Sequence, residues 1–528
     1  MLTVSVATIL AATLACARAD TPVDYSKITP VGETVPVWLQ SVAPGQPTVT
    51  LPPPTPPVAG VPTPTPWPTQ ASAFSPTPDA TRASIAARQS VENYTVQAGD
   101  FLNKISQQFG VSAADIAAAN GINVSDPIHP GQVLLIPVPN ANNFGSDLKQ
   151  LPDSEFVYGP STVDFNLDAF VQAYGGFLAQ YTETIPGSYL DGSTQARTLT
   201  GAQIILRVAQ NYSINPRLLL ALLEYQSGWV RSAKPGSNAM AYALGDVTPG
   251  REGLYLQLTG AARRLNYGYY AWRAGAIVSW GFSDGSVKRI APGLNAGTVG
   301  VQSFFATWLS PTQWDQAVSA QGFNQTYRAL FGNPFQLAIE PLVPANLVQP
   351  TLQLPFESGK VWAFTGGPHA SWDEGSAWGA LDFAPPATAL GCVSSDEWVV
   401  ASAPGLIVRT GDGEVLENLA GEGYEQTGWV LFYMHIEARD RVTAGSVVKA
   451  GDRIGHPSCE GGAATGTHTH VARKYNGEWI PADGAIPFVL DGWVSQGLGQ
   501  QYDGTLTRGS TTITACDCRG PDNEITRP

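Results

Sequence analysis

The distribution of histidine constrains this chain more than any other feature of its sequence. Of the six histidines in 528 residues, five lie in the C-terminal third, at His369, His435, His456, His468 and His470. A single histidine is usually a satisfied turn or core residue, but five together in a chain this poor in histidine indicate a shared site. His468 and His470 are two positions apart, and side chains alternate along a strand, so both rings are expected on one face.

The residues around this cluster supply the remainder of a metal site. A catalytic zinc takes three nitrogen or oxygen ligands and keeps one position open for water. Asp382 alternates with apolar neighbours in Ala380-Leu381-Asp382-Phe383, and His369 follows two glycines that permit a close backbone approach. We therefore expect a His/Asp/His ligand set, with His435 and one further histidine left for proton transfer.

The region 354–492 resembles the zinc endopeptidases of the lysostaphin and beta-lytic type, which cut peptidoglycan peptides. His369 lies thirteen positions before Asp382, as in the beta-lytic branch, and Val447–Gly455 matches the hairpin that leads to the His-x-His pair. The resemblance implies an all-β peptidase domain with one Zn²⁺ per chain. It also implies that the zinc ligands are His369, Asp382 and His470. The catalytic residues would be His435 and His468. His456 lies in a turn and is interpreted as structural or substrate-flanking.

Four cysteines accompany this domain, at Cys392, Cys459, Cys516 and Cys518. An even set in an exported chain predicts two disulfides. Because a single residue separates Cys516 from Cys518, we expect each of them to pair with Cys392 or Cys459 rather than with each other. Residues 493–528 are accordingly predicted to form a tail held by these bridges.

A second module is predicted at residues 93–139. Tyr94-Thr95-Val96 is typical of a strand, Leu102, Ile105 and Phe109 recur at helical spacing, and a second helix should end at Asn120-Gly121 before a closing strand at 132–137. A strand–helix–helix–strand unit of about 45 residues is small for an independent core and suits binding better than catalysis.

Tyr94-Thr95-Val96 and Asn120, together with the motifs Gly99-Asp100 and Pro130-Gly131-Gln132, resemble the LysM domain, which binds N-acetylglucosamine-containing glycans. The resemblance implies a glycan-binding groove between two loops. Its residues would be Gly99, Asp100, Phe101 and Leu102 on one side and Asn120, Gly121 and Ile122 on the other.

Residues 150–345 are predicted to be mainly helical. Asn215 and Pro216 begin one helix, and Glu224 falls in its last turn, where a carboxylate opposes the helix dipole by about 0.3–1 kcal/mol. The stretch resembles the helix that carries the catalytic glutamate of lysozyme-like lytic transglycosylases, although Tyr225 replaces their usual serine. Two interpretations stay open: Glu224 is a second catalytic residue that cleaves glycan, or it is a paired residue of a degenerate lysozyme-like domain, which is the favoured reading.

The N-terminus predicts export. The apolar run Val4–Ala15, about twelve residues, is too short to cross a bilayer and suits a signal peptide over residues 1–19. Ala17-Arg18-Ala19 fits ordinary secretory cleavage, whereas Leu14-Ala15-Cys16 resembles a lipoprotein box that would attach lipid to Cys16. Residues 20–90 are rich in proline and threonine and are predicted to be a disordered linker.

Composition limits the partners of the chain. With 29 lysines and arginines against 43 acidic residues, the net charge of −14 argues against nucleic-acid binding. The sequence therefore predicts a monomeric, exported peptidoglycan hydrolase, associated with the wall or anchored to the outer face of a membrane. It would be a zinc endopeptidase that cleaves stem or cross-bridge peptides and is held on glycan by LysM. The alternatives are a non-catalytic wall-binding scaffold and a bifunctional hydrolase that also cleaves glycan.

Overall fold

The computed structural model describes residues 89–528 except Ala98, residues 141–142 and Thr388. The predicted signal peptide, Cys16 and nearly all of the predicted linker lie outside the described residues. Within the described part of the chain, no helix is both long and apolar enough to cross a membrane.

The N-terminal module has the predicted strand–helix–helix–strand order. Its elements are β1 (Glu92–Thr95), α1 (Leu102–Phe109), α2 (Ala113–Asn120) and β2 (Val133–Ile136). The two strands pair antiparallel, and Ser112 caps α2 by accepting a hydrogen bond from the backbone N–H of Asp115. Ile105, Ile116 and Leu134 are fully buried between the helices and the strands. The small core is therefore closed on one side by a two-stranded sheet.

Residues 167–331 contain most of the helices of the chain. The helices and the four short strands of this range are, in order, α3 (Leu167–Tyr174), α4 (Phe177–Gln180), β3 (Thr182–Ile185), β4 (Arg197–Thr200), α5 (Gly201–Tyr212), α6 (Pro216–Ser227), α7 (Ser237–Ala241), α8 (Leu254–Ala274), β5 (Ser279–Gly281), β6 (Val287–Arg289), α9 (Ala296–Trp308), α10 (Pro311–Ala317) and α11 (Phe323–Phe331). Asn215 caps α6 and Pro216 occupies its first position, as expected. Four leucines of this helix, Leu218, Leu219, Leu222 and Leu223, are completely buried. We call residues 150–345 the helical domain.

The helical domain also holds the N-terminal module in place. The last turn of α1 lies against β5, where the Ser279 hydroxyl donates to the Gln107 carbonyl at 2.9 Å. The Tyr267 hydroxyl donates to the Gln107 side chain at 3.3 Å, and the guanidinium of Arg289 lies 4.6 Å above the ring of Phe144 in the connecting segment. The two units are thus joined by side-chain contacts as well as by the chain.

The C-terminal region is built from strands. They are β7 (Val361–Ala370), β8 (Trp378–Ala384), β9 (Val399–Val400), β10 (Gly405–Gly411), β11 (Glu414–Asn418), β12 (Trp429–Met434), β13 (Val447–Val448), β14 (Arg453–Gly455), β15 (Thr469–Tyr475), β16 (Glu478–Trp479), β17 (Val489–Leu490), β18 (Trp493–Gly497), β19 (Gly504–Arg508), β20 (Thr511–Thr514) and β21 (Glu524–Thr526). The main sheet has the order β13-β10-β11-β12-β15-β8-β7-β21, with β16 paired to β15. All of its pairings are antiparallel, as in an all-β domain.

Residues 493–528 differ from the predicted tail. β18, β19 and β20 form a four-stranded sheet with β17, and β21 pairs with β7 at the edge of the main sheet. Residues 493–526 therefore contribute strands to the fold of the C-terminal region.

The disulfides correct the predicted pairing. Cys392 pairs with Cys459 and Cys516 pairs with Cys518, with Cα–Cα distances of 5.7 and 5.0 Å. The side-chain amide of Asn523 donates to the carbonyls of both Cys516 and Cys518 and holds the turn between them. Separation by one residue does not prevent a bridge when a turn brings the Cα atoms within the usual bonding range.

The two faces of the main sheet serve different cores. Leu381, Leu431 and Val471 point into a core formed by the C-terminal region alone. Phe432 and Ala472, on the opposite face, belong to a core shared with the helical domain. We call this second side the covered face, because α5 and α8 of the helical domain lie over it.

Burial of Glu417 in β11 makes the stability of the sheet depend on pH. Its carboxylate accepts a hydrogen bond from the Tyr433 hydroxyl at 2.8 Å, while its other oxygen has no hydrogen-bond partner. Burial raises the pKa of Glu417 from its usual 4.5 to about 8. The folded protein thus keeps a proton that the unfolded chain releases, so this contribution to stability is present below pH 4.5 and is lost as the pH rises through 8.

We therefore expect the melting temperature to fall between pH 5 and pH 8.5, and Glu417→Gln to reduce that fall. Glu524→Gln, at an exposed position of β21, is the control and should behave like the unaltered protein. Melting followed by circular dichroism at both pH values measures the difference. Equal pH dependence in Glu417→Gln and the unaltered protein would contradict the assignment.

Candidate metal centre

The strands bring the predicted site residues together at one end of the covered face. Asp382 in β8 lies opposite His470 in β15, and Gly366 in β7 lies opposite Asp382 on its other side. The glycine is required there, because a Cβ at position 366 would lie 2.6 Å from an oxygen of the Asp382 carboxylate. Gly366 thus gives the carboxylate room between the strands.

Three side-chain atoms converge at this point. The Oδ1 atom of Asp382 lies 3.3 Å from Nε2 of His369 and 3.3 Å from Nδ1 of His470. The two ring nitrogens are 3.0 Å apart. All three residues are buried, and their ligand atoms lie close enough together to hold one metal ion.

Hydrogen bonds on the outer side of the rings fix which nitrogens face inward as acceptors. Nδ1–H of His369 donates to the Gly367 carbonyl at 2.8 Å, and Nε2–H of His470 donates to the Ser371 carbonyl at 3.0 Å. In neutral rings the opposite nitrogens therefore carry lone pairs, and Oδ1 of Asp382 is buried without a hydrogen-bond partner. Three lone pairs that meet without a proton fit a cation, and the His₂Asp donor set suits zinc.

The charges of the ligands agree with this arrangement. Burial acts to raise the pKa of Asp382, but the neighbouring His369 and His468 overcome that effect and hold the pKa well below its usual range. Burial lowers the pKa of His470, which favours the neutral ring. An anionic Asp382 carboxylate and a neutral His470 ring are forms that bind a metal.

His435 and His468 lie beside the three ligand residues, with ring centroids 4.4 Å apart. Each directs Nδ1 to a backbone carbonyl, that of Glu460 at 3.0 Å and that of Gly466 at 2.7 Å, so that Nε2 is the free nitrogen. Nε2 of His468 lies 3.8 Å from Oδ1 of Asp382. His435 has a left-handed backbone with φ of 65°, an uncommon conformation for a residue with a side chain and one often found at functional sites.

Burial, followed by the nearby His468 and His470, holds the pKa of His435 well below its ordinary value. The ring is therefore neutral at physiological pH and able to accept a proton. His456, in contrast, lies outside this group: its ring packs on Trp398 at 3.9 Å, and its Nδ1 lies 2.9 Å from the Glu397 carbonyl.

Sequence reasoning missed Tyr502, whose ring stacks on His369 with 4.2 Å between centroids. The loop after β18 carries it there, because the Gly367 N–H donates to the Tyr502 carbonyl and the Ala370 N–H donates to the Gln501 side chain. No local motif marks this residue, and its position depends on the pairing of residues 500–504 with β7.

The predicted glycan-binding residues have unequal surroundings. The Asp100 carboxylate accepts hydrogen bonds from the Tyr94 hydroxyl and the Gln97 N–H, and the Asn120 amide exchanges hydrogen bonds with the backbone of Leu135. Leu102 is buried in the small core, whereas Phe101 is 44% exposed. Asp100 and Asn120 therefore shape the two loops, and the accessible surface includes Phe101 and the exposed Gly99 and Gly121, with Ile122 half-buried between them.

Glu224 has a structural explanation for its unfavourable place at the end of α6. Its carboxylate accepts hydrogen bonds from the backbone N–H groups of Val230 and Arg231 and pairs with the Arg231 guanidinium at 2.6 Å. The side chain is thus occupied by local partners, in agreement with the favoured interpretation of a paired residue.

Comparisons with known proteins place these regions. Residues 94–137 match the family model of the LysM domain, and residues 149–346 match the model described as LasA, N-terminal domain. Protease LasA of Pseudomonas aeruginosa is 27% identical over 364 residues, which are 63% of this chain and 76% of the relative. Beta-lytic metalloendopeptidase of Achromobacter lyticus is 27% identical over 185 residues, 34% of this chain and 44% of the relative.

Among solved structures, the M23 metalloprotease pseudoalterin is similar at 22% identity and a TM-score of 0.27, over 32% of this chain and 96% of that chain. The chain thus contains a LysM domain and a LasA N-terminal domain. The resemblance to metallopeptidases of the lysostaphin and beta-lytic type is confirmed: the chain is a LysM-containing relative of Protease LasA and of beta-lytic metalloendopeptidase. The lysozyme-like resemblance of the helical domain stays a prediction.

The metal site predicts a measurable stoichiometry. We expect the full chain to retain one zinc ion after dialysis, and Asp382→Asn or His369→Ala to lose it, because each removes one of three converging ligands. His129→Ala, at an exposed turn of the N-terminal module, is the matched histidine control. Metal analysis of the purified proteins gives the ratio. Full zinc content in Asp382→Asn would show that this carboxylate is not a ligand.

Proposed function

We propose that this chain is an exported, zinc-dependent endopeptidase that cleaves stem or cross-bridge peptides of peptidoglycan. The observation that carries the proposal is the convergence of His369, Asp382 and His470, with Nε2 of His468 3.8 Å from the Asp382 carboxylate and the ring of His435 4.4 Å from that of His468. Two relatives, a protease and a beta-lytic metalloendopeptidase, favour the same reaction class.

The side chains divide the chemistry among themselves. His369, Asp382 and His470 would hold a zinc ion, which when bound would supply Lewis-acid polarisation of the scissile carbonyl and would lower the pKa of a water molecule toward about 7. Nδ1 of His435 and of His468 donates to a backbone carbonyl, so Nε2 of one neutral ring can accept the proton of the attacking water and pass it to the leaving amine, while the other ring, when doubly protonated, can donate to the developing oxyanion. Tyr502 covers the outer face of His369 and keeps that ring in place.

The N-terminal module supplies attachment in this proposal. A domain bound to wall glycan raises the effective concentration of the neighbouring peptides without changing the catalytic site. The accessible Phe101 in the first loop provides an apolar surface on which a sugar ring can stack.

His435→Ala tests the reaction. We expect release of new amino groups from purified peptidoglycan to fall about 10²- to 10⁴-fold, the usual contribution of a positioned acid or base. Zinc content should stay at the level of the unaltered protein, since His435 is outside the ligand set. His129→Ala serves again as the control and should keep full activity.

The outcomes separate the proposal from its alternative. Amine release that is lost with a zinc chelator and in His435→Ala supports the endopeptidase. A folded full chain that binds no zinc and releases no amines would instead be a non-catalytic scaffold on the wall.

Phe101→Ala tests the attachment. We expect binding to insoluble peptidoglycan to weaken several-fold with an unchanged melting temperature, because the ring is exposed and contributes little to the core. Val138→Ala, an equally exposed apolar position after β2, is the control. Sedimentation with the wall material measures binding, and equal retention of both variants would exclude the Phe101 surface from glycan recognition.

A further inference from the structure

The ion pairs between the helical domain and the C-terminal region all have the same polarity. Arg197 and Arg207 pair with Asp412, Arg263 pairs with Asp373 at 2.7 Å, and Arg273 pairs with Glu478 at 3.0 Å. In each pair the helical domain supplies the arginine and the C-terminal region supplies the carboxylate. Beside the apolar residues of the shared core, the covered face therefore carries carboxylates, and four guanidinium groups pair with them.

These carboxylates lie close to the candidate metal centre. Asp373 lies two positions after Ser371, and the Ser371 carbonyl accepts the hydrogen bond from His470. Glu414 in β11 lies opposite Met434, which lies opposite His470, so Glu414 shares the face of His470 two strands away, at about 10 Å. A peptide held at the metal residues would thus extend over the acidic side chains.

Two cations on the same face reduce the negative charge without cancelling it. Arg409 pairs with Glu414 and Glu425, and Lys474 donates to the Gln210 carbonyl of the helical domain at 3.4 Å. The carboxylates that face the helical domain still outnumber these cations once its arginines are set aside. The exposed sheet would present net negative charge beside the metal residues.

The carboxylates of these pairs are more deeply buried than the arginines: the Asp373 and Glu478 side chains are 8% and 5% exposed, whereas those of Arg263 and Arg273 are 40% and 31% exposed. Removing ion pairs from water costs about as much as their attraction returns, and apolar side chains of similar size hold two regions together at least as well. Charges at an interface contribute more to selection of a partner than to its affinity. The acidic pattern therefore serves a state in which the face is open.

We infer that the covered face binds peptide substrates that carry free ammonium groups. The four arginines of the helical domain then occupy the positions at which those ammonium groups bind. Guanidinium and ammonium groups are both cations that donate hydrogen bonds to carboxylates, so one can replace the other on this surface. The ligand class is a peptide with a free side-chain amine of a diamino acid or a free terminal amine. The inference rests on the proposed endopeptidase function and names the substrates that it prefers.

The experiment compares two forms of one substrate on the full chain with bound zinc. Soluble wall peptides with free amines are compared with the same peptides after N-acetylation, which removes the positive charge, and cleavage is measured as newly formed amino groups. We expect kcat/KM to fall about tenfold or more on acetylation, as for the loss of charge pairing to a binding surface.

Matched variants separate recognition from loosening of the interface. Asp412→Asn with Glu478→Gln removes two carboxylates of the face, and should reduce the preference for the free amine to about threefold or less. Arg207→Gln with Arg273→Gln breaks ion pairs to the same carboxylates from the helical side. It keeps the acidic face, and the full preference should remain.

Each result has a distinct meaning. Equal kcat/KM on the two substrates, or a preference lost in the arginine variant as well, would overturn the inference and leave the endopeptidase standing. No cleavage of either substrate by any zinc-loaded variant would overturn the proposed function and the inference with it. If the carboxylate variant does not fold, the unaltered protein decides: added salt should raise KM for the free-amine peptides only, and an identical salt response for both forms overturns the inference.

Discussion

Two main-chain carbonyls determine what this site can hold. Gly367 and Ser371 accept the outer N–H groups of His369 and His470, which leaves lone pairs on the inner nitrogens, facing an unsatisfied carboxylate oxygen. Without a cation, three acceptors would remain buried against each other at 3.0–3.3 Å. The antiparallel pairing of β7, β8 and β15 sets these positions, so the metal chemistry depends on backbone register before it depends on any side chain.

The same sheet also explains why the regions of the chain act on each other. Alternation along β12 and β15 sends Leu431 and Val471 to one core and Phe432 and Ala472 to the other. The candidate metal centre lies at an end of the second surface, which the helical domain occupies. A peptide can reach the acidic part of that surface only where the helical domain leaves it, so access to substrate and packing of the domains compete for the same area.

Local sequence patterns predicted the features that depend on residues close together in the chain, such as helix ends and the alternation of side chains along a strand. The caps and apolar spacing around Ser112 and Ile116 predicted the helices of the N-terminal module, and the period of two in His468-Thr469-His470 predicted rings on one side. The patterns did not reveal the Cys392–Cys459 bridge, the stacking of Tyr502 on His369, or the arginine–carboxylate pairs between domains. Each of these joins segments far apart in sequence, and their proximity is set by strand order and domain packing, which no short-range periodicity encodes.

The attachment of the N-terminal module to the helical domain has a mechanical consequence. Because α1 is held against β5 through Gln107, Ser279 and Tyr267, the unit that would grip the wall is fastened to the unit that lies over the sheet. A force on the bound glycan would reach the helical domain first, and would pass to the strands through the apolar core and the ion pairs that the two regions share. The module that would bind the wall is attached to the domain that lies over the main sheet. Tension in the wall would therefore act on the interface between the helical domain and the main sheet.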